Sequence, residues 1–311
     1  MLARLQKLIV LATIALTILV AAVLGQGRHI LWASFAACLV LSAHAWLLCI
    51  EFALAYVLQS RDRGGPVRLR DVVRAWRHEL RQLTEVFYWR QPFRSDRIAD
   101  QVAPTDARMA GVVLVHGYAC NRGLWNPWMA VLKSRRIPFI AVNLEPVFGS
   151  IECYAGQIER AVAALYSATD RPVVLVGRSM GGLAIRSWLS QSGAVGRVAR
   201  VITVGTPHRG TWLARFGRTT NAREMRMGSR WLERLAASEG ARTGTLFTCF
   251  YADCDNIVFP RECGTLPGAH NVHVPACAHL QMVFEPVVIN EVLAWAQPPL
   301  REPDRDARAA C

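Results

Sequence analysis

The stretch that most constrains this chain is Val173-Val174-Leu175-Val176-Gly177-Arg178-Ser179-Met180-Gly181-Gly182. Its short β-branched run reads as a buried parallel strand, and Leu183 to Gln191 reads as a helix. Ser179 then stands at the tip of a tight strand-to-helix turn. A residue there takes a strained backbone conformation, and only residues without side chains fit beside it, which accounts for Gly177 and Gly181. The segment therefore calls for a parallel sheet with a hydroxyl exposed at the start of a helix.

The same alternation continues on either side. Gly111 to His116, Pro138 to Val142, Val201 to Val204, Leu246 to Tyr251 and Asn271 to Val274 read as further strands. Helices are expected from Trp125 to Arg135, from Ile151 to Ser167 with Ser150 as N-cap, and from Pro286 to Ala296. Strands alternating with helices specify an α/β fold, with a mostly parallel sheet and helices on both faces.

The N-terminal residues 1–60 follow a different rule. Leu8 to Leu24 carries no charge, and it is long enough for a hydrocarbon core of about 30 Å. Gly25 to His29 breaks the pattern, and a second apolar stretch runs from Ile30 to Leu58, so the segment reads as a transmembrane helical hairpin. The alternative is a cleavable signal peptide with small residues at Ser42-Ala43-His44-Ala45. Both apolar stretches exceed a signal h-region of about 7–15 residues, which favours retained anchors. Arg4 and Lys7 precede the first span, Arg61, Arg63, Arg68, Arg70 and Arg74 follow the second, and only Arg28 lies between. The positive-inside rule puts both ends in the cytoplasm. His44 and Glu51, two helical turns apart, share a face. They are either functional ionisable groups or a polar contact between the two helices, with Glu51 close enough to the headgroups to snorkel.

Residues 61–108 form a basic amphipathic linker, with Val72, Val73, Trp76, Leu80 and Leu83 at helical spacing and expected near the bilayer. The net charge of +13 is almost all arginine. No basic block is interleaved with aromatics in the manner of a nucleic-acid-binding surface, so nucleic acid is not an expected partner. A hydrophobic fraction of 52% excludes a disordered chain, and nine cysteines are too few for a disulfide scaffold of this length. Cys249, Cys254, Cys263 and Cys277 lack C-x-x-C spacing, so they form no metal signature and no metal is expected. In the cytoplasm they would be free thiols; in a periplasm bridges would become plausible.

A serine hydroxyl needs a base to take its proton and a carboxylate to fix that base's tautomer. In strand–turn–helix serine sites these follow in the order acid, then histidine. Asp253 and Asp255 lie just past a strand, and Asp255, directly before Asn256-Ile257-Val258, is preferred. Of His270, His273 and His279, only His279 falls in a loop after a strand, where strand C-termini present catalytic groups. A tetrahedral oxyanion would need two donors. These are assigned to the backbone N–H groups of Met180 and Tyr118, the latter in the loop His116-Gly117-Tyr118-Ala119, with the His116 side chain structural.

With these residues in place, the chain from about Met109 to Ala296 resembles the α/β-hydrolase superfamily, in particular the bacterial triacylglycerol lipase and esterase group. The resemblance rests on Val115-His116-Gly117, on Gly177 to Gly182, on Gly205-Thr206-Pro207-His208-Arg209-Gly210-Thr211, on Asp255 to Val258 and on Ala278-His279-Leu280. Arg178 departs from the histidine usual before the nucleophile, and Ala278 from a common glycine. The resemblance implies a catalytic domain over 109–298, followed by a polar tail over 299–311. It also implies a cap or lid at about 211–245, whose alternative is an ordinary surface helix with a buried apolar face. The function implied is a membrane-anchored serine hydrolase of the bacterial inner (plasma) membrane, with its catalytic domain in the cytoplasm. It would cleave lipid-like or lipophilic esters through an acyl-enzyme without a cofactor. An acyltransferase, or a catalytically idle binding module, remains an alternative on the same fold.

Overall fold

All six strand-like runs pair into one parallel sheet in a computed structural model, which describes residues 1–25, 30–59, 67–103, 109–240 and 243–297. The strands are β1 (Val112–Val115), β2 (Phe139–Val142), β3 (Val173–Arg178), β4 (Val198–Val204), β5 (Phe247–Ala252) and β6 (His270–Val274), in spatial order β2-β1-β3-β4-β5-β6. Register pairs Val113 with Ile140 and Leu175, Val201 with Phe247, and Phe250 with Val272. Strands of a parallel sheet end on one rim. Here the winding direction reverses between β1 and β3, leaving a crevice at their C-terminal ends.

Alternation along each strand divides the core. Val112, Leu114, Val174 and Val176 pack with α6 (Asn126–Ser134) and α11 (Pro286–Ala296). Val113, Val115 and Leu175 pack with α7 (Ala155–Thr169) and α8 (Met180–Ser192) on the other face. Two helices differ in detail from their sequence pattern. Ser150 caps a 3-10 turn, Ile151–Tyr154, that precedes α7. The helix α8 begins at Met180, earlier than expected, because its glycine-rich first turn carries no apolar periodicity.

At the N-terminus, α1 (Leu2–Gly25) is long and apolar enough over Leu2–Leu24 to cross a membrane. The second apolar stretch is not one helix. It divides into α2 (Ile30–Leu41) and α3 (Ala43–Gln59), bent by 56°. Ser42 lies at the break; its Oγ donates to the Cys38 carbonyl at 2.6 Å and accepts from Trp46 Nε1 at 3.1 Å. A hydroxyl that bonds back into the preceding turn competes with the backbone ladder and bends helices. The expected turn with Arg28, the cations Arg61 and Arg63, and the 299–311 tail lie outside the described residues.

The helix α4 (Leu69–Glu85) is amphipathic as its spacing predicts, but its apolar face packs inward. Val72, Trp76, Leu80 and Leu83 join Leu48 and Phe52 of α3 with Cys254 and Ala278 of the α/β domain, while Val73 stays exposed. A π-helical turn, Val86–Arg90, leads on to α5 (Gln91–Arg94). The shared face of His44 and Glu51 also turns inward. His44 meets Thr84 at 3.5 Å and the ring of Tyr88, and Glu51 Oε2 accepts from Asn256 Nδ2 at 2.8 Å. Contacts to α4 and the π-helical turn, for His44, and to the α/β domain, for Glu51, thus stand where a polar contact between the two apolar helices was expected.

Candidate active site

Ser179 follows β3 with φ +53° and ψ −127°, a left-handed φ that a non-glycine residue adopts only at a cost. Its neighbours explain how the turn is tolerated. A Cβ on Gly181 would lie 2.6 Å from the His116 carbonyl oxygen, and one on Gly177 would lie 2.7 Å from Gly182 Cα. The turn is thus pressed between β1 and its own helix.

The rim loops bring two partners to this hydroxyl. His279 Nε2 lies 3.1 Å from Ser179 Oγ, and its Nδ1 lies 2.9 Å from Asp255 Oδ2. Asp255 Oδ1 accepts the backbone N–H groups of Ile257 and Val258, each at 2.8 Å. With one oxygen occupied in that way, the other is left to receive the imidazole N–H, so Nε2 presents its lone pair to the serine. Burial lowers the pKa of His279, Asp255 opposes that and the Arg178 cation adds to it; the net direction is downward, toward a neutral ring. Asp253 turns elsewhere: its Oδ1 accepts from Ala276 N at 2.7 Å and faces His273, which packs on Tyr251. His270 opens β6 at the opposite end of the sheet.

The loop after β1 lies against the serine, where a Cβ on Gly117 would come within 2.9 Å of Ser179 Cβ. Tyr118 borders the same cavity as Ser179, and Met180 opens α8 directly after it, so both backbone segments assigned to an oxyanion flank the hydroxyl. His116 is locked below them. Its Nε2 accepts from Leu144 N at 3.0 Å, and its Nδ1 donates to the Gly117 carbonyl at 2.9 Å. Burial pushes its pKa down to about 4.

Beside Ser179 is an apolar cavity of about 160 Å³, lined by Tyr118, Pro207, Thr211, Leu213, Ala214, Gly217, Ala222, Met225, Ile257 and Val258. The 211–245 segment divides its roles. A 3-10 turn, Trp212–Phe216, and α9 (Thr220–Glu224) border the cavity, whereas α10 (Arg230–Ser238) buries Trp231, Leu232 and Leu235 in the core. The Thr-Pro-His-Arg-Gly-Thr motif supports this wall. Thr206 packs on Gly182, and His208 is fixed between Thr203 Oγ1 at 3.0 Å and Arg186, which forms two 2.7 Å bonds to Glu239.

Polar residues of the N-terminal segment, Gln6, Gln59 and Glu79 among them, reach the site loops without having been singled out from the sequence. Gln6 donates to the Ala119 carbonyl at 3.2 Å and accepts from Asn121 Nδ2 at 3.0 Å. Gln59 donates to the Asp255 carbonyl at 3.1 Å. Glu79 accepts from the backbone N–H groups of Leu280 and Gln281. A signal for Glu79 was present: it is an acid within the apolar stripe of α4, three residues after Trp76 and four before Leu83. Among the described residues no cysteines are bonded to each other, and no group of three metal-binding side chains occurs.

Residues 112–303, more than half of the chain, match the alpha/beta hydrolase family model, and the protein belongs to that family. The fold is shared with the Bacillus licheniformis lipase BlEst2 in mature form, at 18% identity and a TM-score of 0.52 over 60% of this chain and 90% of that one. Aspergillus fumigatus lipase B superposes with the same score at 16% identity, over 65% of this chain and 57% of its own. No curated protein sequence matches the chain.

Proposed function

We propose that the protein is a membrane-anchored serine hydrolase that cleaves carboxylic esters with a lipophilic acyl group. The observation that carries this reading is the buried line Ser179–His279–Asp255 opening on an apolar cavity. Ser179 Oγ attacks the acyl carbonyl as His279 Nε2 takes its proton, and Asp255 stabilises the imidazolium. The carbonyl oxygen gains negative charge and is held by the Met180 and Tyr118 amides, each such donor supplying about 3 kcal/mol in the transition state. The intermediate collapses, the alcohol leaves with the proton from His279, and the acyl group stays on Ser179. Water, deprotonated by His279, then adds to the acyl-enzyme; the acid departs and the serine regains its proton.

The lipase names of the two superposed proteins agree with this substrate class. The apolar stretches α1 and α2–α3 are assigned as the anchoring hairpin in the bacterial inner membrane, with both ends and the catalytic domain on the cytoplasmic side. No metal or organic cofactor enters the reaction.

The test is hydrolysis of p-nitrophenyl esters of increasing chain length by the detergent-solubilised protein and by Ser179→Ala. Activity should fall by several orders of magnitude in the variant, on the order of 10⁶-fold for loss of such a nucleophile. Unchanged activity would overturn the assignment. Ester products formed with added alcohols would identify an acyltransferase, and absence of fluorophosphonate labelling an idle module. A C-terminal reporter that works only outside the cytoplasm should stay silent.

A further inference from the structure

The loop carrying His279 is held in place by a residue from outside the family-matched region. Glu79 lies on α4 and is buried, yet it sits on a helix face otherwise made of Trp76, Leu80 and Leu83. A carboxylate withdrawn from water is costly unless its oxygens are bonded. Those of Glu79 are bonded to one target: Leu280 N at 2.8 and 3.0 Å, and Gln281 N at 2.8 Å. These are the two amides that follow His279. By contrast, His279's own amide reaches only Asn256 Oδ1 at 3.4 Å, and Ala278 N reaches Gln281 Oε1 at 3.4 Å. Among the amides from Ala278 to Gln281, the short bonds thus come from α4. Burial raises the Glu79 pKa to about 7, against the pull of the two amides and of Arg178. The position would favour an apolar residue if packing were its only task.

We propose that Glu79 is a positioning residue: by clamping the Leu280 and Gln281 amides it holds the His279 imidazole between Ser179 Oγ and Asp255. The inference rests on the serine-hydrolase reading above. It assigns a part in catalysis to a helix of the N-terminal segment that touches neither substrate nor the reacting atoms. Catalytic groups must be held within about 0.5 Å of their productive geometry. A displacement of about 1 Å costs on the order of 100-fold in rate. Loss of the clamp should therefore lower kcat and leave KM nearly unchanged, because neither Glu79 nor the Leu280 and Gln281 amides that it holds belong to the lining of the acyl cavity.

The experiment compares wild type, Glu79→Gln, Glu79→Ala and Ser179→Ala as full-length protein in detergent. It measures kcat and KM on a p-nitrophenyl ester together with the thermal unfolding midpoint. Glu79→Ala should lose roughly 30- to 100-fold in kcat with KM within about twofold. Glu79→Gln, which keeps one acceptor oxygen in the same shape, should recover to within roughly 3- to 10-fold of wild type. If Glu79→Ala does not fold, Glu79→Gln decides alone: a kcat loss of at least about threefold at unchanged KM supports the clamp, and a smaller loss overturns it. A folded Glu79→Ala with wild-type kcat, a loss confined to KM, or failure of both variants to fold also overturns it. Wild-type activity in Ser179→Ala would instead remove the reading on which the clamp rests.

Discussion

The burial of His116 makes a prediction whose size follows from its surroundings. Both ring nitrogens are occupied in the neutral form, with Nε2 accepting from Leu144 N and Nδ1 donating to Gly117 O. A second proton would break the first bond and place a cation in a dry site near Arg178. Burial is the main reason that its pKa falls from the ordinary 6.5 to about 4, with Arg178 adding to the fall and Glu145 opposing it. Between those values the unfolded chain binds a proton that the folded chain refuses. Stability is therefore complete above pH 6.5 and is lost as pH falls toward 4. At about 1.4 kcal/mol per pH unit, this single residue should cost about 3 kcal/mol across the interval. Glu79 acts in the opposite sense: its raised pKa removes stability as pH rises from 4.5 to about 7. That contribution is common to wild type and a His116→Gln variant, so comparing the two cancels it. Urea unfolding in detergent at pH 7, 5.5 and 4 should show wild type losing about 3 kcal/mol more than His116→Gln on acidification. Parallel stability curves for the two proteins would refute the reasoning.

Two further substitutions test the site. Gly205 has φ +56°, and a Cβ there would lie 2.9 Å from His279 Nδ1 and 3.3 Å from Asp255 Oδ2. Gly205→Ala should retain the circular-dichroism spectrum of wild type and lose on the order of 100-fold in kcat. Ala222 lines the apolar cavity; Ala222→Phe should fill it, lowering kcat/KM for an octanoate ester relative to an acetate ester by about tenfold or more in steady-state assays.

The sheet was legible because its central strands β1 and β3 are buried on both faces, so Val112–Val115 and Val173–Val176 read as unbroken apolar runs between turn residues. The candidate site was legible because the steric demands of the Ser179 turn show up as glycines, and because β5 is followed at once by two acids and β6 by a short loop with a single histidine. Choosing Asp255 over Asp253 needed only its place at the loop start, and the structure brings Asp255, not Asp253, to His279. The bend at Ser42 was hidden, since hydropathy records how apolar a stretch is and not whether a hydroxyl bonds back into its helix. The inward packing of α4 was hidden for a related reason. An amphipathic pattern gives the width of an apolar face, but a bilayer and a protein surface satisfy it equally. The contacts of Gln6, Gln59 and Glu79 with the site loops join residues more than a hundred positions apart, and no local pattern reports on those.

Val86, Leu83, Phe87 and Ile98 belong to the same core as β1 and α11. The border drawn by family likeness, near Val112, is consequently not a seam in the molecule. A fragment trimmed there for convenience would shed part of its own interior and leave the amides after His279 bare. Nor would a foreign segment grafted in place of the first hundred residues be a neutral exchange, because these residues are built into the masonry of the domain that they precede.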